Sequence, residues 1–206
     1  LLLDEPFSML DANARACVRQ ALASFDSQTS LIQISHRFDE ISDFDSVIAL
    51  ESGHIVWQGS PGEFLAQPGL SERTGLRTTP YATCEALPYE ARFTRAGWTS
   101  MGGANSTRGE AAAASLLRAQ RCSYVPQVKE SGSIMSGASS DAPSSFALRD
   151  IDLEIEPAQL TLLVGDSGSG KTTLACILAG LLAPCSGHAT LDGHCVTPGS
   201  VGFAFQ

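Results

Sequence analysis

The chain has 206 residues, 43% of them hydrophobic, and carries 13 Lys and Arg against 22 Asp and Glu, a formal net charge of −9. That length allows one domain or two small ones with a buried core. The acidic balance argues against a nucleic-acid surface, whose phosphates must be held by Lys and Arg. Six cysteines (Cys17, Cys84, Cys122, Cys176, Cys185 and Cys195) occur without a C-x-x-C pair and read as reduced thiols of a cytosolic protein. His188, His194 and Cys195 fall close together but supply too few ligands for zinc. The longest apolar run, Leu174 to Ala183, is too short to cross a bilayer.

Leu1–Glu5, LLLDE, reads as an apolar strand ending in two acids. Asp4, at the C-terminal end of such a strand, is suited to hold Mg²⁺ beside a phosphate loop. Glu5, just beyond it, is suited to polarise an attacking water as a general base. After Pro6 and Ser8-Met9-Leu10-Asp11 comes a helical stretch from Ala12 to Phe25. SLIQISHR then gives a strand through Leu31, Ile32 and Ile34 that runs to His36. Val47–Leu65 reads as two strands around the Ser52-Gly53 turn and a short helix, with Trp57 as a packing residue. From Ala66 to about Ala112 the composition shifts to Pro, Thr, Gly, Arg and Ser. Leu76–Phe93 has room for short helices, and Thr99–Gly109 has the make-up of a flexible tether.

A second module begins near Ala113. SLLRAQRCSYVP reads as a strand carrying Tyr124, and the Ser/Gly-rich Ser131–Ser145 as a disordered loop. The apolar positions Leu148, Ile151, Leu153 and Ile155 mark a half-buried strand. The most specific stretch follows at Leu160–Thr173, LTLLVGDSGSGKTT. Gly165, Gly170, Lys171 and Thr172 fit the pattern G-x-x-x-x-G-K-[ST] between an apolar strand and an apolar helix. The glycines let backbone N–H groups from Gly165 through Asp166, Ser167, Gly168 and Ser169 to Gly170 turn toward phosphate oxygens, with no Cβ in the way. The helix N-terminus that begins there favours an anion. Lys171 would reach the β- and γ-phosphates and Thr172 would hold Mg²⁺, with Thr173 completing the segment. The chain therefore reads as binding a nucleoside triphosphate. Ser186-Gly187 and Asp192-Gly193 bracket a further short strand, and VGFAFQ runs to Gln206.

Taken together, DEPFSMLD, SLIQISHR and GDSGSGKTT resemble the Walker B and D-loop, switch-histidine and Walker A motifs of ABC-type ATPases. The resemblance implies an α/β P-loop NTPase fold with a mainly parallel sheet and an antiparallel β subdomain, in incomplete domains. It implies ATP and Mg²⁺ as cofactors and ATP hydrolysis as the activity, with Glu5 and His36 catalytic, His36 contacting the γ-phosphate. Tyr124 stands where the family's A-loop aromatic stacks on adenine, a core residue being the other reading of that ring. Gln206 matches the Q-loop glutamine, which makes Asp4, Thr172 and Gln206 the metal set.

Within one such ATPase domain the phosphate loop precedes Walker B; here the order is reversed, and no LSGGQ-like signature occurs. The economical explanation is a tandem protein cut at both ends. Residues 1–66 would end one ATPase domain and 113–206 would begin a second, with 67–112 a partly disordered linker or C-terminal extension. Such domains pair head to tail and serve membrane-embedded transporter subunits at the cytoplasmic face of the membrane; no nucleic-acid partner is expected. DEPFSMLD and SPGEFL are most similar to energy-coupling factor importers of vitamins or metal ions. The alternatives are a soluble ABC protein acting as a nucleotide switch on ribosomes or DNA, or a catalytically incomplete ATP-binding fragment. In isolation, residues 1–66 are expected to pack against 113–206 in one parallel sheet with LLLD beside LTLLVG, because either half alone would expose apolar strand faces.

Overall fold

The computed structural model describes residues 1–23, 29–37, 41–42, 44–76, 116–126 and 148–205. The expectations for 77–112, for 131–145 and for Gln206 lie outside the described residues. The apolar start forms β1 (Leu2–Asp4), then α1 (Ala12–Ala23) and β2 (Leu31–Ile34). Asp11 opens α1 by accepting the Ala14 N–H at 2.7 Å on Oδ1, the local bond that makes Asp a good helix start. β3 (Ser46–Glu51) and β4 (His54–Gly59) form an antiparallel hairpin. Its turn holds Ser52 at φ +50° and Gly53 at φ +82°, the left-handed pair that matches strand twist. Ser60 then opens α2 (Pro61–Leu65) with a reciprocal box: its Oγ accepts from the Glu63 N–H, and the Glu63 carboxylate accepts from the Ser60 N–H. Trp57 packs edge-on against the fully buried Phe64, ring centres 5.1 Å apart.

A further helix, α3 (Leu70–Arg73), lies inside the stretch read as a linker or C-terminal extension. Its flanking apolar residues explain why: Leu70 and Leu76 are buried in the same cluster as Phe64. The second part contributes β5 (Leu117–Tyr124), β6 (Leu148–Ile155), β7 (Leu160–Gly165), α4 (Lys171–Leu178), β8 (Ser186–Leu191), β9 (His194–Cys195) and β10 (Phe203–Ala204). No helix among the described residues is long and apolar enough to cross a membrane. His188, His194 and Cys195 are exposed on β8 and β9. Among the described residues no group of three His, Cys, Asp or Glu side chains is arranged to hold a metal.

The strands among the described residues form two sheets. One is antiparallel, in the order β6-β5-β8-β9. The other has six strands in the order β10-β1-β2-β7-β3-β4, parallel throughout except for the β3–β4 hairpin. Residues from both ends of the chain share this second sheet. β7 is inserted between β2 and β3, paired from Leu31↔Leu160 to Ile34↔Leu163 on one side and from Ser46↔Thr161 to Leu50↔Gly165 on the other. Successive side chains point to opposite faces. Leu2, Ile32, Ile34, Ile48, Leu50 and Leu163 join the core shared with α4 and the antiparallel sheet. Leu3, Leu31, Val47, Ala49, Leu162 and Val164 join the core around Phe7 and Phe64. Both faces are covered, which is why these strands read as continuous apolar runs rather than as alternation.

The expected order within the sheet needs one correction: LLLD is not directly beside LTLLVG, because β2 stands between them. A single helical crossover joins β1 to β2 and leaves the two as neighbours, so β7 pairs with the far edge of β2. Asp4 still reaches the phosphate loop, because α4 starts at the carboxyl end of β7 and packs against β1.

Candidate functional site

Three strands deliver their carboxyl ends to one place, the position where open parallel sheets bind ligands. β7 ends at Gly165, and the loop Gly165–Gly170 leads into α4. Glycine is required at both ends of that loop for different reasons. A Cβ on Gly165 would sit 2.4 Å from Ser169 Oγ and 2.5 Å from the Leu50 carbonyl oxygen. Gly170 adopts φ +104°, and a Cβ there would meet Leu148 Cδ2 at 2.7 Å. The loop is buttressed by the β3–β4 turn, where the Gly53 N–H donates to the Ser169 carbonyl at 3.1 Å. The Gly53 carbonyl in turn accepts from the Arg149 N–H of β6 at 2.9 Å, so the antiparallel sheet is tied to the same turn.

Lys171 lies folded along the inside of the loop. Its Nζ donates to the carbonyl oxygens of Gly165 and Asp166, both at 2.9 Å. Burial pushes its pKa below the ordinary lysine value, while Glu5, Asp4 and Asp166 pull it back up. Next to it, Thr172 Oγ1 donates to Asp4 Oδ2 at 2.7 Å. Ser169 Oγ is buried and, among the described residues, has no hydrogen-bond partner. These three observations fit a bound Mg²⁺–phosphate group: a cation folded along the inside of the loop, a hydroxyl–carboxylate pair with oxygen donors for a hard metal, and a buried loop hydroxyl with hydrogen-bonding capacity to spare.

Asp4 and Glu5 are presented by the end of β1. Glu5 takes φ +46°, its N–H donates to the Ile34 carbonyl at 3.1 Å, and its own carbonyl accepts from the Ser8 N–H and Ser8 Oγ, each at 3.0 Å. That turn carries the Glu5 carboxylate across to His36, just beyond β2, and Glu5 Oε1 pairs with His36 Nε2. A cavity of about 50 Å³, bordered by both side chains, has room for a water molecule. Tyr124 ends β5 opposite Leu148, the residue that touches Gly170, and its half-buried ring packs on the core. Thr173 is half-buried on the first turn of α4. Of the residues singled out in the sequence, the structure thus brings Asp4, Glu5, His36 and the whole Gly165–Thr173 segment together. Tyr124 sits one strand away, and Gln206 lies outside the described residues.

Some residues of the site carry no motif. Leu148, Gly53 and the turn after α3, where Gly75 abuts Asp166, all touch the loop from outside. Only the left-handed turn at Gly53 had a sequence signal, as the Ser-Gly pair of a hairpin.

A parallel sheet with a strand–GxxxxGKT–helix unit and an acid at the end of a nearby strand defines a P-loop NTPase. Residues 148–204 match the ABC transporter family, and the fold is that of an ABC-type ATPase domain with its antiparallel companion sheet. Along 94% of its length the chain is 29% identical to an ABC transporter ATP-binding protein of Methanosarcina acetivorans, covering 30% of that protein. Again along 94% of its length, it is 25% identical to one of Vibrio parahaemolyticus, covering 34% of it. A stretch of 65 residues, 29% of this chain, is 49% identical to the sulfate/thiosulfate import ATP-binding protein CysA of Rhodopseudomonas palustris, covering 19% of it. The chain spans about a third of the length of the relatives it matches from end to end. No solved structure gives a significant match.

Proposed function

We propose that this chain binds MgATP and is part of the ATP-hydrolysing protein of an ABC-type importer. The observation that carries the reading is the Thr172–Asp4 hydrogen bond. It joins the metal end of a phosphate loop to the acid of a strand otherwise remote in sequence, and it is the juxtaposition that Mg²⁺-dependent phosphoryl chemistry requires. In this site the loop N–H groups and Lys171 would hold phosphate oxygens, Thr172 and Asp4 would hold the metal, and Glu5, paired with His36, would accept a proton from water. Mg²⁺, when bound, neutralises phosphate charge. Catalysis on this scheme is positioning and electrostatics rather than covalent chemistry.

The order of motifs supports a tandem parent, with residues 1–66 ending one ATPase domain, 67–112 connecting, and 113–206 beginning another. The two relatives matched along 94% of the chain share that colinear order and are about three times as long as the matched stretch. In the parent, domains would pair head to tail and drive membrane-embedded subunits from the cytoplasmic face, with Glu5 and His36 serving the first domain's ATP and Lys171 and Thr172 the second's; the joint site is that of this chain by itself. Relatives that match shorter stretches are ATP-binding proteins of sulfate/thiosulfate import and of taurine import, which supports the direction of transport. Within importers we favour the energy-coupling factor type, carrying vitamins or metal ions, on DEPFSMLD and SPGEFL. Calorimetric titration with MgATP tests the core of the reading. One saturable site that is lost when Mg²⁺ is chelated is expected; no binding at millimolar nucleotide refutes it.

A further inference from the structure

The phosphate loop has an outer wall that no motif supplies. α3 ends in a paired set of hydrogen bonds: the Gly75 N–H donates to the Glu72 carbonyl at 3.2 Å and the Leu76 N–H to the Ser71 carbonyl at 3.1 Å. That is the Schellman arrangement, and it puts Gly75 at φ +66°. The turn is held firmly. Thr74 is fully buried with its Oγ1 donating to the Leu70 carbonyl at 2.9 Å, Leu76 is buried beside Val164 in the core, and Arg73 is ion-paired with Glu51. Its outer surface is pressed on the phosphate loop. A Cβ on Gly75 would lie 3.0 Å from Asp166 Oδ1 and 3.2 Å from Asp166 Cα.

Asp166 is therefore gripped from two sides: its carbonyl accepts from Lys171 inside the loop, and its Cα rests on Gly75 outside. We propose that Gly75 is a positioning residue for nucleotide binding, setting the first turn of the phosphate loop through direct backbone contact with Asp166. The inference rests on the reading that this loop takes nucleotide phosphates. A side chain at position 75 pushes Asp166 toward the interior, where Lys171 and the loop N–H groups must meet phosphate oxygens. Displacements of a few tenths of an ångström there weaken several hydrogen bonds at once.

Gly69 provides a matched control. It has φ +71°, at the other end of the same helix, and among the described residues a Cβ there meets nothing within 4 Å. Gly69→Ala and Gly75→Ala thus impose the same left-handed strain, but only the second touches the loop. MgATP affinity is measured by calorimetry on the intact chain, well below the melting temperature of each variant. Both variants are expected to melt lower by similar amounts, while the Kd for MgATP rises about fivefold to tenfold in Gly75→Ala and stays at the wild-type value in Gly69→Ala. Gly75→Asn keeps the test open should the Ala variant fail to fold, because Asn tolerates the left-handed region while still placing a Cβ against Asp166; its Kd must rise too. Unchanged affinity in a folded position-75 variant, or an equal loss in Gly69→Ala, overturns the proposal and leaves Gly75 a helix cap. Wild-type chain that binds no MgATP instead refutes the nucleotide reading itself, and this inference falls with it.

Discussion

Lys171→Met removes the charge from the loop while keeping an apolar stem of similar length. The ammonium makes two bonds to carbonyl oxygens at 2.9 Å, each worth about 1.5–3 kcal/mol for a charged donor. Desolvation opposes them, and it outweighs the three neighbouring carboxylates, since the pKa is lowered overall. The net loss on substitution is therefore small, about 1 kcal/mol or less, a few degrees in Tm for a domain of this size. Binding suffers far more, because a partly buried charge–phosphate contact is worth about 3–4 kcal/mol, on the order of a hundredfold to a thousandfold in Kd. Thermal melts with and without MgATP separate the two effects. At a hundred times the wild-type Kd, nucleotide adds about 2.7 kcal/mol to the wild type, while the variant at the same concentration gains almost nothing. The alkaline limb gives an independent check. A lowered lysine pKa means that the unfolded chain binds more protons between the folded value and the ordinary 10.5, so wild-type stability rises with pH through that window. The variant lacks that rise. A full nucleotide-induced shift in Lys171→Met, or parallel alkaline profiles for the two proteins, would refute the reasoning.

Asp4→Asn keeps an oxygen for the Thr172 hydroxyl but loses the charge that attracts a metal. Its Tm is expected within about 2 °C of wild type, with at least a tenfold loss in the gain in ATP affinity that Mg²⁺ confers; titrations with and without chelator measure it, and an undiminished Mg²⁺ gain counts against the metal role. Glu5→Gln, introduced into the full-length protein, should retain ATP and slow turnover by about 10²–10⁴-fold, the usual worth of a general base. Wild-type hydrolysis in a phosphate-release assay removes Glu5 from that role. Phe64→Ala empties a fully buried position and removes the edge-on contact with Trp57. Urea denaturation is expected to show a loss of about 3–5 kcal/mol, and a loss under 1 kcal/mol would mean that α2 contributes little to holding the sheet.

Much of the architecture was legible because burial on both faces leaves an unmistakable signature. LLLD, LIQI, SVIAL and LTLLVG are short apolar runs bounded by turn residues, and all four became central strands. Strand order was less legible. Hydrophobic periodicity says which face is buried but not which edge is paired, so the place of β2 between β1 and β7 had to come from the structure. The phosphate loop and Asp4 could be picked out because their chemistry restricts residue type. The supports around the loop could not. Leu148 acts by bulk, Gly53 and Gly75 by backbone position, and many residue types at many spacings do such work. α3 was hidden for a related reason. Its four residues carry too little periodicity to register, and only the burial of Leu70 and Leu76 reveals why the chain turns there.

The insertion of β7 between β2 and β3 also dictates when the sheet can form. The bond from the Leu160 N–H to the Asp45 carboxylate closes a separation of 115 residues, and both long edges of β7 wait on pairings of comparable span. When this chain refolds by itself, β2 and β3 can flank β7 only after that 115-residue separation has closed. Until then the chain carries two apolar strand edges with a slot between them, a state open to pairing with the wrong strand. Maturation of this sheet is therefore a matter of timing as much as of affinity, and the arrival of the GKT-bearing strand is the event that ends the exposure.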